Sequence, residues 1–317
     1  MTQHRASQAH SGAPGARLLD PRVLARIDTL DLLARTVVDG FLHGLHSSPY
    51  LGLSMEFAEH RAYMPGDDIR KIDWRLYART DRYYVKQYEA ETNANFTVLL
   101  DVSKSMSYGS GEVSKLDYAR FLAAALTYFS KRQRDRVGLY AFDSEIVEHV
   151  RPSVQHLDQV LHALERVVPG RPGALGPPLL TAASTFRRKG IVALISDFYE
   201  SPDAIVDAIR PLVGSKHDLI VFHVLDPAEL DFPFDKPASF EDLETGERFP
   251  VVPEKLRDGY RQVIREHVAE VQRRVLGQGA EYTLLNTSQP LDLALFRYLL
   301  ARQKARGGRG GAGVGAA

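Results

Sequence analysis

At 317 residues the chain has room for one large or two modest domains, and its 44% hydrophobic and 25% charged residues are those of a globular protein with a real core. Forty Lys and Arg balance forty Asp and Glu, so total charge gives no argument for nucleic acid or an anionic membrane. The absence of cysteine excludes disulfides, thiolate metal sites and Cys nucleophiles, and the longest near-apolar run, Phe121 to Phe129, falls far short of the ~18 residues of a membrane span.

Residues 1–19 are rich in Ala, Ser, Gly, Gln and His, lack an apolar signal core and read as a disordered tail. The expectation is a soluble, cytoplasmic protein with no membrane insertion. Asp20-Pro21 opens a helix, an N-cap acid followed by Pro. Leu24, Ile27, Leu30, Val37, Phe41 and Leu45 carry that amphipathic helix to about Gly44, within an N-terminal helical unit of residues 20–46.

Residues 47–95 change character and predict a small β-rich subdomain. Leu53, Met55 and Phe57 alternate, and Tyr83 to Tyr88 is aromatic and β-branched. Between them lies Arg61-Ala62-Tyr63-Met64-Pro65-Gly66-Asp67-Asp68-Ile69-Arg70-Lys71-Ile72-Asp73-Trp74-Arg75. Pro-Gly turns the chain, and Asp67 caps a short helix with Ile69, Ile72 and Leu76 inward. The surrounding arginines and carboxylates read as paired groups locking a loop rather than as a catalytic cluster.

Phe96 to Leu100 is a wholly apolar or β-branched run, as in a central strand covered on both faces. It breaks into Asp101-Val102-Ser103-Lys104-Ser105. That loop has two readings, a turn with helix caps or three hard oxygen donors for a cation such as Mg2+ or Ca2+. Ser114 with Asp117 resembles a capping box at the start of a buried helix, and Val137 to Phe142 is a second buried strand. Ile146 to Val150 reads as an antiparallel edge strand, and Leu157 to Val168 as a helix. A Pro/Gly loop at 170–178 leads into a helix ending at Arg187-Arg188-Lys189-Gly190. A third buried strand, Ile191 to Ile195, ends in Ser196-Asp197. A helix from Ser201-Pro202 and a strand at Leu219 to Leu225 continue the alternation.

Residues 227–252 interrupt with a hairpin insertion turning at Leu243 to Phe249. Leu256, Tyr260, Val263, His267, Val271 and Val275 then predict one buried face of a long helix, with His267 a satisfied core or boundary residue. Tyr282 to Leu285 is the last strand, Leu291 to about Lys304 the last helix, and 306–317 a disordered Gly/Ala-rich tail. Alternating units of this kind predict an α/β fold for residues 96–305, a doubly wound, mostly parallel sheet.

Asp101-Val102-Ser103-Lys104-Ser105 after one buried strand, with Ser196-Asp197 after another, resembles the von Willebrand factor type A fold. In that family these positions form the metal-ion-dependent adhesion site. The Arg61 to Trp74 stretch is similar to the signature of the domain-of-unknown-function 58 family of bacterial proteins, where it precedes a type A-like domain. The resemblance implies a metal site of Asp101, Ser103, Ser105 and Asp197, with Mg2+ favoured over Ca2+ or Mn2+ and one coordination position left for an acidic residue of a partner. It also implies a non-enzymatic interaction module working with a MoxR-type AAA+ ATPase and other type A-domain proteins in assembly or maturation of protein complexes. One departure stands out: the loop position of the family's Thr ligand falls on Gly173 or Ala174, and Thr181 lies further on, within the next helix. The alternatives are a metal-dependent hydrolase using Asp67, Asp68 and Asp73 with His60 as base, or a metal-free scaffold. Against the hydrolase, acids on one helix meet at spacings of three or four, not the five between Asp68 and Asp73.

Overall fold

The computed structural model describes residues 20–47, 60–63, 72, 74, 76, 77, 81–86 and 94–310. Both predicted tails in large part, the expected strand at Leu53 to Phe57, and Asp67, Asp68 and Asp73 lie outside them. The chain opens with α1 (Pro21–Leu24) and α2 (Leu30–Ser47), not the single helix expected. Thr29 restarts the helix: its carbonyl accepts from Leu33 and its hydroxyl from Leu32, while Glu165 accepts from the Leu30 amide. Short strands β1 (His60–Ala62) and β2 (Tyr84–Lys86) pair antiparallel.

The body of the molecule is a six-stranded sheet. Its strands, in chain order, are β3 (Asn95–Asp101), β4 (Arg136–Phe142), β5 (Ile146–Ser153), β6 (Gly190–Ser196), β7 (Asp218–Leu225) and, after the hairpin β8 (Ala238–Glu241) and β9 (Arg248–Val251), β10 (Glu281–Asn286). The spatial order is β10-β7-β6-β3-β4-β5, parallel throughout except for β5, which runs antiparallel at the edge. The chain leaves β3 toward β4 and β5, then returns to β6 on the other side of β3. That reversal opens a crevice beyond the carboxyl ends of β3 and β6, where ligands bind in sheets of this type.

Helices cover both faces, which is why the strands read as continuous apolar runs. Alternate residues sort cleanly: Phe96, Val98 and Leu100 pack with α2, with α3 (Lys115–Arg132), with α4 (Leu157–Arg166) and with the last helix, while Leu99, Val192, Leu194 and Val221 face the opposite core. The opposite core is closed by α5 (Gly176–Thr185), α6 (Pro202–Gly214) and, beyond the short α7 (Pro227–Asp231), α8 (Pro253–Gly277). The predicted capping box of α3 is present, with the Ser114 hydroxyl accepting from the Asp117 amide at 3.1 Å.

Three further expectations need correction, the first being that α5 ends at Thr185, so that Arg187 and Arg188 stand on the loop beyond it and do not close the helix. The buried line of α8 runs through Ile264, Val271 and Val275, with Tyr260 and His267 half-buried, whereas Leu256 is 50% and Val263 66% exposed. Steps of three and four from Tyr260 select Ile264, so Tyr260, His267, Val271 and Val275 lie inward as predicted while Ile264 takes the place expected of Val263. The last helix, α9 (Asp292–Gly310), also continues past the expected stop near Lys304. Among the described residues no helix is long and apolar enough to cross a membrane.

Candidate functional site

Asp101 ends β3 buried at the switch crevice, 4% exposed. One of its carboxylate oxygens accepts the Ser103 amide at 2.8 Å and the other the Ser196 hydroxyl at 2.6 Å, so the ends of β3 and β6 are tied through this one side chain. Burial, reinforced by the nearby Asp197 charge, pushes the Asp101 carboxyl up to about 7 against the pull of those bonds. The loop that follows is fixed by its backbone, with the Val102 amide on the Phe142 carbonyl and the Lys104 amide on the Arg171 carbonyl. That leaves the Ser103 and Ser105 hydroxyl oxygens 3.1 Å apart.

At the end of β6, Asp197 is buried and Phe198 takes a left-handed φ of 50°. A buried Phe in that region costs roughly 1–3 kcal/mol unless the surroundings hold it. Here the Phe198 amide donates to the Ser196 hydroxyl at 3.2 Å and its carbonyl accepts His267 Nε2 at 2.8 Å. This gives His267 the satisfied role expected of it. The Asp197 carboxylate is gripped by Lys115, the first residue of α3, whose Nζ lies 2.7 Å from it and 2.7 Å from Glu229. Burial pulls the Lys115 pKa down, but the charges and hydrogen bonds of Asp197 and Glu229 outweigh it and raise the pKa above the ordinary value. Its Nζ also lies 4.8 Å from the centre of the Tyr199 ring.

The third wall is the loop before α5. Gly173 passes so close to the first loop that a Cβ on it would lie 2.8 Å from the Ser103 Cβ and 3.2 Å from its hydroxyl. The two loops therefore touch at a point where only a residue without a side chain fits. Thr181 sits inside α5, its hydroxyl spent on the Pro177 carbonyl at 2.9 Å. Over this junction lies Glu244 from the β8–β9 turn. One of its oxygens accepts the Ser105 amide and the other the Gly173 amide, both at 2.8 Å. The turn that delivers it is built by Asp242, which accepts the Glu244 and Thr245 amides, and by Gly246 at a φ of 76°.

Asp101, Ser103, Ser105 and Asp197 thus line one cavity of about 160 Å3, together with Gly173, Glu200 and Glu244. Among the described residues no basic side chain lines it, and the donors are all hard oxygens, a set that suits Mg2+ or Ca2+ chemically. Three or more His, Asp or Glu do not converge as a metal cluster among the described residues, and one of the two expected acids is already neutralised by Lys115. Of the alternative site, Ile72 is buried and Trp74 exposed, while its acids fall outside the described residues. Sequence reasoning missed Lys115, Glu229 and Glu244. A faint signal existed for Lys115, the one cation opening an otherwise apolar buried helix; an acid in a hairpin turn gives none.

The family described as protein of unknown function DUF58 matches residues 59–270. An uncharacterized protein of Mycobacterium tuberculosis, Rv1480, is 30% identical over 295 residues, covering 90% of this chain and 91% of its own. Among solved structures, the conserved hypothetical protein BatB of Bacteroides thetaiotaomicron is similar over 67% of this chain and 98% of its own, at 17% identity and a TM-score of 0.47. The VWA domain of SpRpn10 covers 64% of this chain and 94% of that one, at 10% identity and a TM-score of 0.39.

Proposed function

The chain belongs to the DUF58 family, and from that premise we propose that its switch crevice is a docking site for an acidic side chain of a partner protein. One observation carries the reading: backbone amides from two separate loops, Ser105 and Gly173, already receive a carboxylate, that of Glu244, beside the paired Ser103 and Ser105 hydroxyls. The hairpin presents that acid as a partner's loop would. In this reading the protein is a non-enzymatic interaction module, and Glu244 holds the place until a partner displaces it.

A divalent ion, when bound, would supply an open coordination position for the incoming carboxylate. Ser103 and Ser105 would hold it directly, and Asp101 and Asp197 directly or through ordered water, with Lys115 competing for Asp197. The donor chemistry supports Mg2+; the side-chain-free Gly173 makes the site a degenerate version of the adhesion site and weakens it. The partner class the family resemblance suggests is a MoxR-type AAA+ ATPase acting with other type A-domain proteins in assembly or maturation of complexes, and we place that activity in the cytoplasm.

A second reading is favoured by the Lys115–Asp197 pair, since the buried ammonium already occupies one of the acids an ion would need, leaving the Ser105 and Gly173 amides to receive a carboxylate. The rim would then bind acids without any metal. Calorimetric titration of the wild type and Glu244→Ala with Mg2+, Mn2+ and Ca2+, beside capture of the purified ATPase with and without chelator, separates the two. The first reading expects ion binding, stronger capture by Glu244→Ala and loss in chelator. No binding at millimolar ion, with capture unchanged in chelator, removes the metal; capture indifferent to both Glu244→Ala and Ser103→Ala removes the docking site.

A further inference from the structure

The pole of the sheet opposite the crevice carries a larger cavity, of about 640 Å3, within the ~300–1,000 Å3 range of small-molecule sites. It opens where β3 and β4 begin and β5 ends, beside the exit of α5. Six steps along β3 separate Asn95 on its wall from Asp101, about 20 Å at ~3.3 Å per residue, so it is distinct from the crevice.

Four guanidinium groups line it: Arg136 from β4, Arg151 from β5, and Arg187 and Arg188 from the loop after α5. Among the described residues that is a local excess of four positive charges, and no described Asp or Glu lines the cavity. Several exposed arginines elsewhere pair with acids, as Arg166 does with Glu148 and Arg273 with Glu270, while others, such as Arg26 and Arg265, stand singly among the described residues. None of these four has a carboxylate at ion-pair distance among the described residues. Arginine forks left together without acids suit the oxygens of a phosphate, which they bind in pairs.

The remaining wall carries an aromatic cluster beside polar Asn95, Ser153, Ser184 and Thr185. Tyr140 and His149 stack with centroids 4.0 Å apart and 23° between planes, and Phe186 meets Tyr140 edge-on at 5.6 Å. The Tyr140 hydroxyl is fixed on the Thr185 hydroxyl at 2.6 Å, so the stack is held in place. Burial and the Arg151 charge lower the His149 pKa, keeping that ring neutral and suited to stacking. Pro152 and Val154 complete the surface.

We propose that this cavity binds a phosphorylated small molecule carrying a flat ring, a nucleoside phosphate, with the ring against the Tyr140–His149–Phe186 wall and the phosphates among Arg136, Arg151, Arg187 and Arg188. The test is calorimetry of the full chain in chelator with ADP, adenosine, inorganic pyrophosphate and a short single-stranded RNA. ADP is expected to bind at least about tenfold more tightly than adenosine or pyrophosphate, and to weaken as salt rises. Arg187 and Arg188 are exposed on a loop, so Arg187→Ala with Arg188→Ala leaves the fold intact and is expected to weaken ADP by about tenfold or more. His149→Ala is expected to weaken ADP while leaving pyrophosphate unchanged. Absence of ADP binding at millimolar concentration overturns the proposal. So does an ADP affinity untouched by the double substitution, pyrophosphate binding as tight as ADP, or RNA binding tighter than ADP.

Discussion

The Nζ of Lys115 lies 2.7 Å from the carboxylate of Asp197, and both side chains are almost wholly buried, 0% and 4% exposed. The same ammonium reaches Glu229 at 2.7 Å, so one cation answers two acids, Asp197 just after β6 and Glu229 in α7. Removing one member of such a set leaves uncompensated charge in the interior, at a cost of roughly 3–5 kcal/mol. Lys115→Met should therefore lower the stability read from urea melts by about that amount. Millimolar Mg2+ should restore part of the loss if the crevice takes a cation. A Lys115→Met protein as stable as the wild type would show that the pair contributes nothing.

Asp101 sets a pH dependence of unusual sign for a carboxylate. Its folded pKa of about 7 lies above the ordinary value of 3.8, because burial and Asp197 disfavour the charged form. Between those values the folded protein holds more of the proton than the unfolded one, so its contribution to stability is present at low pH and lost as pH rises toward 7. In chelator, Asp101→Asn should gain on the wild type by up to roughly 3–4 kcal/mol on going from about pH 4 to about pH 8. Thermal melts across that range measure it, and a difference independent of pH would sink the assignment.

Gly173 answers whether the family's Thr could be restored. A Cβ there would meet the Ser103 Cβ at 2.8 Å, with little room for either loop to move. Gly173→Thr is expected to destabilise by about 1–3 kcal/mol and to weaken, not strengthen, cation binding. A tighter Mg2+ titration in that variant would mean that the loop shifts freely.

Glu244 is half-buried and its turn is held independently by Asp242. Glu244→Ala should leave the melting temperature nearly unchanged. Amide exchange should rise selectively at Ser105 and Gly173, while the Ser103 amide, bonded to Asp101, keeps its protection. Equal exchange at Ser105 in the two proteins would mean that the hairpin does not rest on the crevice in solution.

The order of elements was readable because each rests on a local pattern. Phe96 to Leu100 and Ile191 to Ile195 are apolar without alternation since both faces of each strand are covered, and each ends in an acid since the crevice lies past that end. Ser114 and Asp117 announce their helix start in the same local way. The face of α8 was misread because Val263 and Ile264 are adjacent apolar residues, and only the packing chooses between them.

By itself, then, the chain's sequence determined the doubly wound, mostly parallel sheet and the four oxygen-bearing residues Asp101, Ser103, Ser105 and Asp197 at or just past the ends of two of its strands. Tertiary structure alone decided what faces them. Lys115 meets Asp197 across 82 residues and Glu244 meets Ser105 across 139, and neither partner differs in local pattern from an ordinary helix-start lysine or turn glutamate. Periodicity encodes which side chains are buried; it carries no record of which charges the folded chain brings within hydrogen-bond reach of one another.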